Sequence, residues 1–370
     1  MSDYLDHLDR GVLIDIFARL PVETLARLTF VCKSWRSFIT SPEFIYHPLI
    51  RNAANDRRLL LVGCRTYVPK EDQFCPTDHY SLMVDGNDSF RQLKAIHLPF
   101  DSVGLSIVGS VNGVICLADD FSCGFSDDMF LWNPSIRKCV ALPKYDVKFN
   151  SHGPISPFLG FGFDPVTNDF KVVRIGRLNS RCYSIPPFIE LYTHKTRRWW
   201  NISEKAIPSM FVECGQQAYV NGASNWMMTG LGTSRKTILS FNMSAEVFNE
   251  ILIPESVAYE DHLNLVVFKE SLCLMQEDVN HMVPHLAVCI MKEYSVSTSW
   301  SRLFKIDLPG VALALRENGE VIFATDHDGK LVSCDHQSGH MTDLGIGDTF
   351  GSGWHRFYME PYIGSLELLN

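Results

Sequence analysis

The sequence has no run of about 18 consecutive apolar residues, the length that a membrane-spanning helix requires. It does not open with the basic and then apolar stretch of a secretory leader. Asp3, Asp6 and Asp9 stand there instead, so no such leader is expected. Positive charge is in deficit: 33 Lys and Arg face 42 Asp and Glu, a net charge of −9. Nucleic-acid backbones demand a basic footprint that this balance does not provide. The 11 cysteines include no Cys-x-x-Cys pair, and Cys116 and Cys289 lie inside apolar runs. Buried free thiols of a reducing compartment are expected, hence a cytoplasmic or nuclear location. The Gly-x-Ser-x-Gly elbow of serine hydrolases, the phosphate-binding P-loop and the dinucleotide Gly-x-Gly-x-x-Gly are also absent. What remains is an ordinary globular composition, 46% hydrophobic and 20% charged in 370 residues, enough for a small domain and a large one.

The stretch from Leu8 to Phe44 carries the strongest pattern. Val12, Leu13, Ile16, Phe17 and Leu20 recur at three- and four-residue steps, a helical period, and Ile14 adds a second apolar direction. Pro21 breaks this helix and is placed to start the next, with Glu23 in its positive first turn. Leu25, Leu28, Val31, Cys32, Trp35, Phe38 and Ile39 carry a second and a third helix, and Pro42 ends the run. About 40 residues cannot enclose that much apolar surface by themselves. Some of it must cover something else: the remainder of this chain, or a partner. Periodicity leaves both open.

Residue identities go further. Arg19, Leu20 and Pro21, then Leu25, then Val31 to Arg36 (VCKSWR), then Ser41 to Phe44 (SPEF) resemble the F-box in the right order, and the spacing from Leu8 to Pro21 matches as well. The family commonly opens with Leu-Pro, whereas Leu8 is followed here by Asp9. The resemblance implies docking on a Skp-type adaptor, and through it on the cullin and RING subunits of a ubiquitin ligase. Carried over by position, Leu8, Val12, Ile16, Leu20, Pro21, Leu25, Val31, Cys32 and Trp35 fall where the adaptor is gripped or the grip is held in shape.

Residues 45–57 read as a connector after an F-box in residues 1–44. From Leu59 the helical period fades, and short β-branched and aromatic runs alternate with Gly, Pro, Asn and Asp turns. Phe130 to Pro143 reads as strand, turn, strand and closing proline, and Ile238 to Pro254 repeats it. Weaker copies span Ile189 to Trp200, Val288 to Leu303, Leu331 to Leu344 and Leu82 to Pro99. Six hairpins result, most preceded by one or two further strands, so each unit offers about four. Such a unit has two bare faces and must stack around an axis. Residues 58–370 are therefore expected to form a mainly β fold, a kelch-like β-propeller of about six blades with seven possible; an open β-sandwich array is the alternative. Ring closure would pair residues 355–369 with the unit built from residues 58–99.

Gly113 to Leu117 (GVICL), Trp132 to Ser135 (WNPS), Gly160 to Pro165 (GFGFDP) and Asp169 to Val173 (DFKVV) resemble the F-box-associated interaction domain of plant F-box proteins, related to kelch-type propellers. Tyr358 to Leu369 is similar to the tail of the S-locus F-box-like group, which usually carries Glu where Gly364 stands.

Other motifs have plainer readings. His281 and His285 have metal-pair spacing, but Pro284 spoils the helix it needs. Cys334, His336 and His340 cluster across a hairpin turn without an evident fourth ligand. Asp326 to Lys330 starts like a calcium loop and lacks its later acids, so a turn is expected. Lys195 to Arg198 precede Trp199 and Trp200, read as a turn followed by an inward tryptophan pair. Asn87, Asn201 and Asn242 open glycosylation sequons, which require a secretory route. No metal and no small-molecule cofactor is expected. The leading functional expectation is a non-catalytic receptor that holds an unknown target protein on the propeller while the F-box docks on the adaptor. The rival is a propeller enzyme or glycan-binding propeller with a helical cap.

Overall fold

The structure is a computed structural model. It describes residues 9–45, 47, 48, 50, 59–70, 73–86, 90–98, 104–119, 128–145, 155–178, 187–207, 216–230, 233–278, 284–325, 330–346 and 356–367. Four helices come first: α1 (Arg10–Ala18), α2 (Val22–Leu28), α3 (Lys33–Ile39) and α4 (Pro42–Ile45). Asp9 starts α1 by accepting the Gly11 N–H at 2.7 Å. Pro21 precedes α2, and its carbonyl accepts the Leu25 N–H at 3.0 Å. None of the described helices is long and apolar enough to cross a membrane.

The strands that follow are organised by one repeated turn. At Asn133, Asp164, Asn242 and Asp335 a side-chain oxygen accepts the N–H two residues ahead, at 2.9–3.0 Å. Each turn then closes on a left-handed residue, Arg137, Asn168, Glu246 and Gly339 respectively. These turns and tighter ones such as Asn112-Gly113 and Asn221-Gly222 fold the chain into four-stranded antiparallel sheets.

Six such sheets form six blades. The first holds β1 (Leu59–Lys70), β2 (Gln73–Asp85) and β3 (Phe90–Ile96). Blade two is β4 (Leu105–Val111), β5 (Val114–Asp119), β6 (Met129–Asn133) and β7 (Lys138–Ala141). Blade three is β8 (Ile155–Asp164), β9 (Asp169–Leu178), β10 (Phe188–Thr193) and β11 (Arg198–Asn201). Blade four is β12 (Ala218–Val220), β13 (Ala223–Thr229), β14 (Lys236–Asn242) and β15 (Val247–Ile251). Blade five is β16 (Leu263–Phe268), β17 (Ser271–Asp278), β18 (His285–Met291) and β19 (Trp300–Asp307). Blade six is β20 (Gly310–Leu315), β21 (Val321–Thr325), β22 (Leu331–Cys334) and β23 (Met341–Asp343). The last strand, β24 (Arg356–Tyr362), returns to blade one and pairs with β1 from Leu59↔Tyr362 to Arg65↔Arg356. The expected hairpins are the outer strand pairs of the six blades, and the expected terminal strand closes the ring. The sheet array is thus a closed propeller.

Central strands send alternate residues to opposite neighbours. In β17, Leu272 and Leu274 pack toward blade four, whereas Cys273 and Met275 pack toward blade six. In β9, Phe170 and Val172 join blade two, and Val173 and Ile175 join blade four. A strand buried on both faces reads as a continuous apolar run, which is why these segments show no alternation. Cysteines serve there as small apolar side chains, and burial pushes the Cys273 thiol up to about 12. Gly160 allows a close approach between blades three and four: a Cβ there would sit 2.3 Å from the Trp226 ring. Polar latches add to the apolar seams. Lys171 of β9 meets Asp164 and Glu246, each at 2.9 Å, and Arg316 after β20 meets Asp85 of β2 at 2.7 Å.

The strand β24 serves two seams at once, with Tyr362 in the one between blades one and two and Met359 in the one between blades six and one. A chain stopped before Arg356 should therefore lose both, and it should aggregate or become protease-sensitive. A monomer with the full-length melting temperature would contradict this. Glu360, between those residues, accepts a hydrogen bond from the Tyr358 hydroxyl and one from the Ser110 backbone. Burial nevertheless pushes its carboxyl up to about 8. The folded chain then holds this proton more tightly than the unfolded chain. Stability is lost as the pH rises from the ordinary carboxylate range through about 8. Glu360→Gln should raise the melting temperature at about pH 9 and change it little at about pH 5. Equal pH profiles for the two proteins would contradict the assignment.

Candidate functional site

The helical unit is built around Phe17. Its ring lies 5.4 Å from Trp35, edge on, and 6.0 Å from both Phe38 and Phe44. Ile14, Leu25, Ile39 and Ile50 complete the buried centre. Ile50 lies in the stretch read from sequence as connector, so the helical core reaches past residue 44. Two members come from outside the unit: Leu366, beyond β24, and Ile136, in the turn between β6 and β7. The unit thus rests on blade two, at the end of the ring where that turn lies.

A second set of apolar side chains remains uncovered. Val12 and Ile16 are each 46% exposed, one helical turn apart on α1. At about 100° per residue they point nearly opposite to Ile14 and Phe17. Val31 is 63% exposed and Phe30 88%, both in the bend between α2 and α3. The first alternative left open by periodicity is therefore realised on one face, which covers the propeller, while another face stays open.

The positions expected to meet an adaptor separate accordingly. Val12, Ile16 and Val31 are open. Leu20, Pro21, Cys32 and Trp35 are half-buried. Leu25 is only 1% exposed and belongs to the core of the unit. Cys32 caps α3, its sulfur accepting the Trp35 N–H at 3.4 Å. Leu8 lies outside the described residues. Phe30, the most exposed large apolar side chain among them, is missing from the sequence-derived set. The periodic pattern breaks at that bend and does not say which residue points outward.

The other flagged motifs that lie among the described residues resolve as structure. His336 stacks on Phe304 with ring centres 4.3 Å apart, and its Nδ1 bonds the Gly319 carbonyl at 3.2 Å. His285 pairs with Asp307 at 2.5 Å. No group of three potential metal ligands occurs among the described residues. His281, Asn87 and Asp326 to Gly329 lie outside them. Asn201 and Asn242 organise turns, accepting N–H groups from Ser203 and Ser244. The tryptophan pair is corrected: Trp199 packs on Tyr145 and Tyr192, but Trp200 is 47% exposed. They lie on β11, the edge strand of its blade, where three of the four residues are exposed.

Comparison with known proteins follows the same division. Residues 5–47 match the F-box domain. Residues 70–342 match the F-box associated beta propeller domain. The chain belongs to this family. F-box protein At3g07870 of Arabidopsis thaliana is 25% identical over 326 residues, covering 82% of this chain and 73% of that one. F-box protein CPR1 of the same plant is 26% identical over 370 residues, covering 91% and 84%. F-box/kelch-repeat protein At3g23880, also from Arabidopsis thaliana, is 25% identical over 323 residues, covering 82% and 80%. This is thus a plant-type F-box protein with its associated propeller, and its F-box implies an adaptor of the Skp type.

The two apolar sets should respond differently to substitution. Trp35→Ala removes a ring from the Phe17 cluster and should destabilise the helical unit by about 3–5 kcal/mol. Ile16→Asp changes an open site and should cost no more than about 0.5 kcal/mol. Thermal unfolding followed by helical circular dichroism checks both. Equal losses would contradict the division into core and open face.

Proposed function

We propose that this chain is the substrate receptor of a Skp–cullin–F-box ubiquitin ligase. The observation that carries the reading is the open apolar set on the side of the helical unit away from its core. Val12, Ile16, Phe30 and Val31 offer a partner surface without disturbing what the helices need to fold. An adaptor seated there would link the chain to the cullin and RING subunits. Ubiquitin transfer would then occur on those partners, with this chain raising the local concentration of target lysines near the thioester. Work of this kind puts the chain in the cytoplasm, the nucleus or both.

The propeller supports the other half of the proposal. On the side that carries the helices most strand connections are short turns, the one between Met291 and Trp300 being longer. At the other end the connections are longer and unequal, as between Asp119 and Met129 or between Leu178 and Phe188. The β1–β2 ladder also runs on there, from Thr66↔Thr77 to Lys70↔Gln73, past the last β24 pair at Arg65↔Arg356. Variable connections on a rigid ring are where recognition is usually built. A target protein bound at that end would leave the helical unit free.

Binding to a purified Skp-type adaptor is the test. Ile16→Asp and Val31→Asp should each weaken it tenfold or more, about 1.4 kcal/mol per decade, without changing the melting temperature. Failure of the unaltered chain to bind, or binding by both variants as tight as that of the unaltered chain, would overturn the proposal.

A further inference from the structure

The tail beyond β24 joins the two halves of the molecule. After Tyr362 it leaves the sheet and crosses the turn between β6 and β7. Asn133, fully buried in that turn, donates from Nδ2 to the carbonyls of Ser365 and Glu367 at 2.9 and 3.0 Å, and approaches Ser365 Oγ at 3.2 Å. The Tyr362 hydroxyl lies 3.0 Å from Ser135 Oγ. Leu366, 2% exposed, then enters the core of the helical unit beside Ile136.

Two features set this turn apart from its repeats. The repeated turn uses only a side-chain acceptor, and Asp serves at positions 164 and 335 as well as Asn does at 133. The amide donor of Asn133 is surplus to the turn and is spent on the tail. The residue before the left-handed one is Thr167, Ala245 or Ser338 in the sister turns. Here it is Ile136, which supplies apolar surface to the helices. Gly364 fits the narrow space between: a Cβ there would lie 3.3 Å from Ser135 Oγ and 3.4 Å from a Val22 methyl.

We infer that the tail is a clasp that fixes the angle between helical unit and propeller, with Asn133 and Leu366 as its positioning residues. This inference rests on the receptor reading for its consequence. A fixed angle holds a bound target at one distance and direction from the ubiquitin-carrying subunit, so a limited set of lysines is presented. A clasp released at Asn133 leaves adaptor contact and target contact intact but lets that geometry wander.

Single-molecule energy transfer in the full-length chain tests it, with dyes on unnatural amino acids at the exposed positions Ser37 and Glu250. Asn133→Asp is the informative variant. It keeps the turn acceptor, as Asp164 does, but sets a carboxylate against two carbonyl oxygens. A second variant ends the chain after Ile363, which retains β24. The unaltered chain should give one narrow transfer peak. Both variants should give a broadened, shifted one, while the propeller melting temperature stays the same and, in Asn133→Asp, which keeps Leu366, the adaptor Kd stays within about twofold. In a reconstituted ligase, mass spectrometry of the chain's own ubiquitinated lysines should show a restricted set that widens in Asn133→Asp. A narrow, unshifted peak in either variant would overturn the clasp, as would an unchanged lysine set in Asn133→Asp. Failure to bind adaptor would remove the receptor reading alone, because the transfer peaks still report on the clasp.

Discussion

A four-stranded blade in this chain is apolar on both faces, and the rest of the structure depends on covering both. One blade cannot be stable alone, and a row of blades leaves two faces bare. The ring removes the ends. Each seam takes residues from one strand face of each neighbour, so a central strand such as β9 or β17 serves two seams with alternate side chains. This arrangement ties the seams together: weakening one strand loosens both sides of its blade. Cys116, Cys273 and Cys334 lie buried in these seams as small apolar side chains.

Closure gives the C-terminal segment two tasks. As β24 it is the inner strand of the first blade, and beyond Tyr362 it becomes part of the helical core. The helical unit is therefore not simply tethered by the connector before β1. It shares Leu366 with the end of the chain and Ile136 with blade two. The exposed residues Val12, Ile16, Phe30 and Val31 lie outside this shared core, so the same short helices hold to the ring and remain open on another side.

The sequence was most legible where chemistry is local. Pro21, Glu23 and the order of apolar residues placed the first helices, and the turns at Asn133, Asn242 and Asp335 fall inside hairpins read from sequence, because the side chain of each makes the turn's own hydrogen bond. The terminal strand was legible by a topological argument, since an unclosed ring is unstable. Exposure was less so. Nothing in a helical period distinguishes Leu25, which is buried, from Val31, which is open, and Phe30 fell at a bend where the period stops. The contacts of the tail with the β6–β7 turn and with the helices join residues more than 200 positions apart, such as Asn133 and Ser365, which no local pattern joins. One trace was present: Ile136 is an apolar residue in a turn whose sister positions are small or polar.

Hydrogen exchange on the full-length chain, alone and with a purified Skp-type adaptor, tests the central claim most directly. The account predicts that the adaptor slows exchange in α1 around Val12 to Ile16 and in the bend at Phe30 and Val31, and leaves β24 and the turn at Ile136 unchanged. Protection confined to the propeller, or none at the helical unit, would contradict it.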